Sequence, residues 1–118
     1  MEDSKPLQMF WLGTPIVVLD GKPVKFETRK ALALLVYLSQ ENRSISREAL
    51  AALFWPEFPQ QKAFANLRRN LASLCQSLGG NWLLSTRDTI GMEERQNFWL
   101  DTQAFRQQVS AVLNDGEG

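Results

Sequence analysis

Residues 59–79 read PQQKAFANLRRNLASLCQSLG, an unbroken helical pattern with proline in front and glycine behind. Leu67, Leu71, Leu74 and Leu78 recur at steps of four and three, with Ala63 and Phe64 one turn earlier, so the segment carries one apolar stripe. That stripe must face a core. At about 100° per residue the opposite face gathers Lys62, Ala65, Arg69, Ala72, Ser73 and Gln76, flanked by Gln61, Asn66 and Arg68. Amide and guanidinium groups pair bidentately with adenine and guanine edges, and alanines let a helix approach closely, so this face suits a DNA major groove. It equally suits solvent, the default for the polar side of an amphipathic helix. The neighbouring segments decide between the two.

Directly upstream, Ser46 is placed to cap a helix over Arg47 to Phe54, with Ile45 and Leu50 as a hydrophobic staple and Trp55-Pro56 as its end. A short helix, a connector over 55–59 and the long helix make a helix-turn-helix with an extended turn. Directly downstream, Gly79-Gly80 leads into Trp82, Leu83 and Leu84, a polar stretch over 85–89, then Ile90, Gly91 and Met92. That spacing predicts a β-hairpin, a wing over 82–92 with its tip near Arg87-Asp88.

Farther out, Leu7 to Leu12 and Ile16 to Leu19 are β-prone runs separated by Gly13-Thr14-Pro15. Asp20-Gly21 is a tight hairpin signal, and Val24 and Phe26 alternating with Lys25 predict a third strand. Thr28 is a fitting N-cap for a helix through the apolar run Ala31 to Leu38, which predicts extensive burial. Arg29 and Lys30 fall in its first turn, where the helix dipole disfavours cations; a phosphate or another partner would compensate them, and two snorkelling surface cations fit the sequence equally well. Phe98 to Leu100 add one more β-prone run, and Asp101 or Thr102 caps a last helix containing Ala104, Phe105, Val109, Val112 and Leu113.

With 118 residues and 44% hydrophobic content, the chain is large enough to bury a core as one domain. Thirteen basic and thirteen acidic residues cancel, which argues against a generally adhesive polycation. The distribution is uneven: residues 59–86 contain no Asp or Glu but include Lys62, Arg68 and Arg69. A positive face on a neutral body follows. The absence of histidine removes His-based acid–base catalysis, Ser-His-Asp and Cys-His arrangements and the usual zinc ligand sets, so no enzyme and no cofactor are expected. The one cysteine, Cys75, excludes an internal disulfide and reads as a small side chain at the core border. No secretory signal and no apolar run near the roughly 18 residues of a membrane span are present, which points to the cytoplasm and away from membranes.

Five ordered blocks carry a resemblance: TRKALALLVYL (28–38), SREALAALFWP (46–56), ANLRRNLASL (65–74), DTIG (88–91) and FWLDTQAF (98–105). Together they resemble the amino-terminal DNA-binding domain of Streptomyces antibiotic regulatory protein (SARP)-type transcriptional activators. The resemblance implies an α+β, OmpR-like winged helix-turn-helix over 1–100, with an N-terminal antiparallel sheet, a three-helix core and a C-terminal wing. It also implies that 101–118 begins a helical bacterial transcriptional activation domain. Partners implied are double-stranded DNA, bound as tandem copies on direct repeats, and RNA polymerase, with the connector over 55–60 as a contact. Many members carry more arginines late in the recognition helix, where this chain has Cys75, Gln76 and Ser77.

The expected site follows from both lines. Lys62, Asn66, Arg69 and Ser73 are expected to meet bases, with Arg68 and Gln76 at the margins, and Arg29, Lys30, Arg47, Arg68 and Arg87 to meet the DNA backbone. The competing expectation is a winged helix that docks RNA polymerase or a partner domain without reading DNA, which the neutral charge favours.

Overall fold

The structure, a computed structural model, describes residues 7–41, 43–93 and 98–104. The chain divides into two compact units, Met1–Val24 together with Asn97–Gly118, and Lys25–Gln96.

The first unit is a sheet in the order β3-β2-β1-β7. Strands β1 (Leu7–Phe10) and β2 (Ile16–Leu19) pair antiparallel, Leu7 opposite Leu19 and Phe10 opposite Ile16. Alternation places Leu7 and Met9 in the core with Val17 and Leu100. Asp20 and Gly21 form the two-residue turn, both with positive φ (52° and 80°), the mirror-image geometry that matches strand twist. With Leu19 opposite Lys22, the next strand starts at once, so β3 is Lys22–Pro23 rather than a strand through Val24 and Phe26. The Val24 amide adds one rung by donating to the Val17 carbonyl at 2.9 Å. The last described strand, labelled β7 in chain order (Phe98–Leu100), pairs parallel with β1 and stacks Trp99 on Phe10 at 5.1 Å between ring centroids. Both oxygens of the buried Asp101 carboxylate accept amide protons, from Trp11 and Leu12, each at 2.8 Å. Residues 101–104 are helical; the rest of the helix expected there, from Phe105 onward, lies outside the described residues.

The second unit holds three helices and a second sheet, order β4-β6-β5. Helix α1 (Arg29–Gln40) starts where the Thr28 hydroxyl accepts the Ala31 amide at 2.9 Å. Its apolar run is buried on one side only: Ala31, Leu34, Leu35, Leu38 and Ser39 are covered, whereas Ala33 is exposed. A helix displays every residue around its axis, so a continuous apolar run is covered only where a neighbour packs. Helix α2 (Arg47–Phe54) is capped by Ser46 through the Ala49 amide at 2.9 Å, and Ile45 and Leu50 are both buried. Helix α3 (Gln60–Leu78) turns Ala63, Leu67, Leu71, Leu74 and Leu78 inward, and Gly79, at φ 66°, ends it by donating to the Cys75 carbonyl at 2.8 Å.

The hairpin is β5 (Leu83–Ser85) and β6 (Thr89–Met92), with Trp82 buried at its base. The residues before α2 form a short strand, β4 (Ile45–Ser46), that pairs with β6, Ile45 opposite Ile90. Sequence reading had not anticipated this pairing. Gly91 permits it, because a Cβ there would lie 2.8 Å from Ser44 Oγ and 3.1 Å from Ser44 Cα.

Candidate nucleic-acid interface

The candidate site is built within the second unit, on α3 and the two segments beside it. The inward leucines of α3 settle which side is hidden, and fully buried Leu67 and Leu74 anchor it. Truncating either to alanine removes about 2–5 kcal/mol of packing. Lys62, Arg68, Arg69, Ala72, Cys75 and Gln76 remain exposed.

One flank of α3 is held by the start of α1. Thr28 Oγ1, while capping α1, donates to Asn70 Oδ1 at 2.6 Å, and Asn70 Nδ2 donates to the Asn66 carbonyl at 2.9 Å. Ser73 Oγ donates to Glu27 Oε1 at 3.3 Å. Ser73 and Asn66, both expected on the base-reading face, therefore lie on or toward this flank and are half-buried. At about 100° per residue both stand about 100–120° from the centre of the leucine stripe, on one shoulder of the helix, and the start of α1 packs there.

The other flank faces the start of α2 and the wing. Arg47 ties these together: its amide donates to the Asp88 carbonyl at 2.8 Å, Nε to the Thr86 carbonyl at 3.0 Å and Nη2 to Ser85 Oγ at 2.6 Å. The expected backbone contact thus spends part of its guanidinium on the wing. The wing tip closes as a turn in which the Thr86 amide donates to the Thr89 carbonyl and the Thr89 amide to Thr86 Oγ1, both at 2.9 Å. Arg87 is thereby presented at an exposed tip. A cleft of about 600 Å³ opens here, lined by Ser46, Arg47, Phe64, Arg68 and Arg87 together with the acidic Glu48 and Asp88. Three arginines distant in sequence converge on it. A second groove of about 430 Å³ runs between α2 and the start of α3, with apolar walls from Ala51, Ala52, Trp55, Pro56, Phe58 and Ala63.

Two expected phosphate ligands at the start of α1 part company. Arg29 is exposed. Lys30 Nζ instead donates to the Phe54 carbonyl at the end of α2 and lies over the Phe54 and Trp55 rings, 5.8 and 5.3 Å from their centroids. The unpaired carbonyls and negative dipole end of α2 supply the compensation that the α1 N-terminus denies it. Lys62 Nζ lies 5.3 Å from the Phe58 ring centroid, which steers the ammonium without removing it from solvent. The guanidinium groups of Arg29, Arg68, Arg69 and Arg87 have no hydrogen-bond or ion-pair partner among the described residues. Cys75 stands in a shallow groove beside Arg47, Arg68 and Leu83, and partial burial pushes its thiol pKa up.

Among the described residues no helix is long and apolar enough to cross a membrane, and no group of three or more His, Cys, Asp or Glu is placed to hold a metal ion. No protein-family model matches the sequence, and no curated protein does. Among solved structures the chain is similar to Mycobacterium tuberculosis EmbR, determined in complex with a low-affinity phosphopeptide: 28% identity, TM-score 0.64, over 76% of this chain and 26% of that one. The chain thus spans about a quarter of the length of EmbR. Mixed α+β elements, the α2–α3 pair, the hairpin behind α3 and this likeness make the fold a SARP-like winged helix.

Proposed function

We propose that this chain is the sequence-specific DNA-binding part of a bacterial transcription regulator, with α3 in the major groove and the wing on the flanking groove or backbone. EmbR is a SARP-type transcriptional regulator, which supports a regulator's DNA-binding fold for this chain. The observation that carries the finer reading is the outer face of α3. Lys62 and Arg69 stand exposed on it, Arg68 and Arg87 flank it, and the whole of residues 59–86 lacks a carboxylate. Arg69 and Lys62 are assigned to bases and Asn66 to the rim of the groove. Ser73 belongs with the flank that positions α3, and Lys30 with the α2 terminus. Arg29, Arg68 and Arg87 hold phosphates, and Arg47 holds the wing where Arg87 reaches one.

Three phosphate contacts give a slope of log affinity against log salt of about −3. Affinity of a single copy is modest on that count, and side-by-side copies on direct repeats raise it by effective concentration. Residues 101–118 are assigned to the start of a following helical domain. The deciding experiment is a mobility-shift series on promoter-length duplexes at increasing salt. Binding with sequence preference and a steep salt response supports the reading, and a flat response overturns it.

The second reading rests on the groove beside the connector, where Phe58 is 36% exposed, and on Leu53 of α2, which is 54% exposed outside that groove's lining. Apolar side chains at that exposure suit a protein partner such as RNA polymerase. Polymerase binding that persists while every duplex is refused favours this reading.

A further inference from the structure

Within the second unit, α3 has a neighbour on each flank. Asn70 and Ser73 engage the start of α1, and Phe64 and Arg68 border the cleft beside α2 and the wing. The strip between these flanks contains Ala65, Arg69, Ala72 and Gln76, which fall within about 60° of one another around the axis and directly opposite the leucine stripe. Arg69, Ala72 and Gln76 are exposed, and neither the Arg69 guanidinium nor the Gln76 amide has a side-chain partner among the described residues. Gln76, marginal on the sequence reading, is therefore at the centre of the outward strip.

We infer that Gln76 is a specificity-determining residue that reads an adenine, working with Arg69, which reads a guanine. This rests on the proposed seating of α3 in the major groove. A guanidinium is matched to guanine O6 and N7, and a carboxamide to adenine N6 and N7, each through two hydrogen bonds. Both residues sit on one line of the helix, seven positions apart, which is about 10.5 Å of rise. At about 3.4 Å per base pair that separation spans roughly three base pairs. Ala72 lies between them and Ala65 precedes them, so no bulky side chain holds the helix away from the base edges. Ser73, whose hydroxyl donates to Glu27, reads nothing.

Selection from random duplex DNA with the wild-type chain and with Gln76→Ala, Arg69→Ala and Ser73→Ala tests this. Wild type is expected to enrich a guanine and an adenine about three base pairs apart. Gln76→Ala is expected to lose the preference at the adenine alone, bind the selected site about 10-fold more weakly and bind an adenine-substituted site as wild type does. Its salt slope stays unchanged, because a neutral amide displaces no counterion. Ser73→Ala is expected to keep the selected sequence, and matching thermal midpoints establish that the variants are folded. A selected sequence unaltered by Gln76→Ala, equal losses on both duplexes, or a preference lost with Ser73→Ala overturns the inference while the DNA-binding reading stands. Failure of the wild-type chain to select or retain any duplex overturns both.

Discussion

Two adjacent cation pairs, Arg29-Lys30 at the start of α1 and Arg68-Arg69 in the middle of α3, read alike in the sequence and end in different surroundings. Lys30 folds onto the end of α2, against Phe54 and Trp55, and becomes part of the scaffold. Arg68 and Arg69 project from α3 with their guanidinium groups unengaged. The contrast is between a helix start near another helix's carbonyl end and a helix middle whose own backbone groups are already satisfied. Lys30 reaches the free carbonyl end of α2, whereas Arg68 and Arg69 stand on a helix that carries no carboxylate to pair with them.

Substituting across this contrast separates scaffold from surface. Arg69→Ala is expected to weaken binding to a selected duplex by about 10- to 100-fold, with denaturant stability unchanged within about 0.5 kcal/mol. Parallel titration and urea unfolding check it, and a stability loss of the size of the affinity loss would place Arg69 with Lys30 instead. Lys30→Ala is expected to do the reverse. It costs about 1 kcal/mol of stability, from a charge-assisted hydrogen bond and exposed cation–π contacts, and leaves affinity nearly untouched. Should it lower duplex affinity strongly at unchanged stability, the start of α1 is a phosphate site after all.

A subtler separation comes from salt. Arg68→Ala is expected to lower the magnitude of the salt slope by about 1 and to weaken all duplexes alike, which fluorescence anisotropy at several salt concentrations measures. The smallest effect concerns Cys75, on the α3 flank beside the wing. Burial raises its pKa, and the thiolate is the nucleophile, so alkylation at neutral pH is expected to be slower than for an unhindered thiol and to keep rising beyond the ordinary thiol range. Bound duplex is expected to slow it further. A rate that plateaus early with pH would mean the thiol is not desolvated, and an identical rate on and off DNA would mean that this flank stays uncovered.

Much of the local structure was legible in the residues. The caps at Thr28 and Ser46, the Asp20-Gly21 turn, the leucine stripe and the hairpin, read over 82–92 and observed over 83–92, each depend on chemistry within a few positions of chain, and each is found. The third strand was misplaced because the two-residue turn restarts pairing at Lys22, two residues before the alternation of Val24 and Phe26 suggests. Of the residues expected to meet DNA, Arg29, Lys62, Arg68, Arg69 and Arg87 are exposed. Ser73 is half-buried and donates to Glu27, whereas Gln76 is exposed on the outward strip; the Ser73 contact spans 46 positions of chain, which periodicity does not give.

Sequence alone determined the three helices of the second unit, the hairpin behind α3, the tight turn at Asp20-Gly21, and that α3 has an apolar and a cationic side. Those are local matters of periodicity, capping and backbone freedom. Only the tertiary structure decided the pairing of β4 with β6 and β7 with β1, the seat of Lys30, and the strut from Arg47 to Ser85 across 38 positions of chain. These contacts join groups far apart along the chain. Their partners become known only when the fold brings the hydrogen-bonding groups of one element within reach of another.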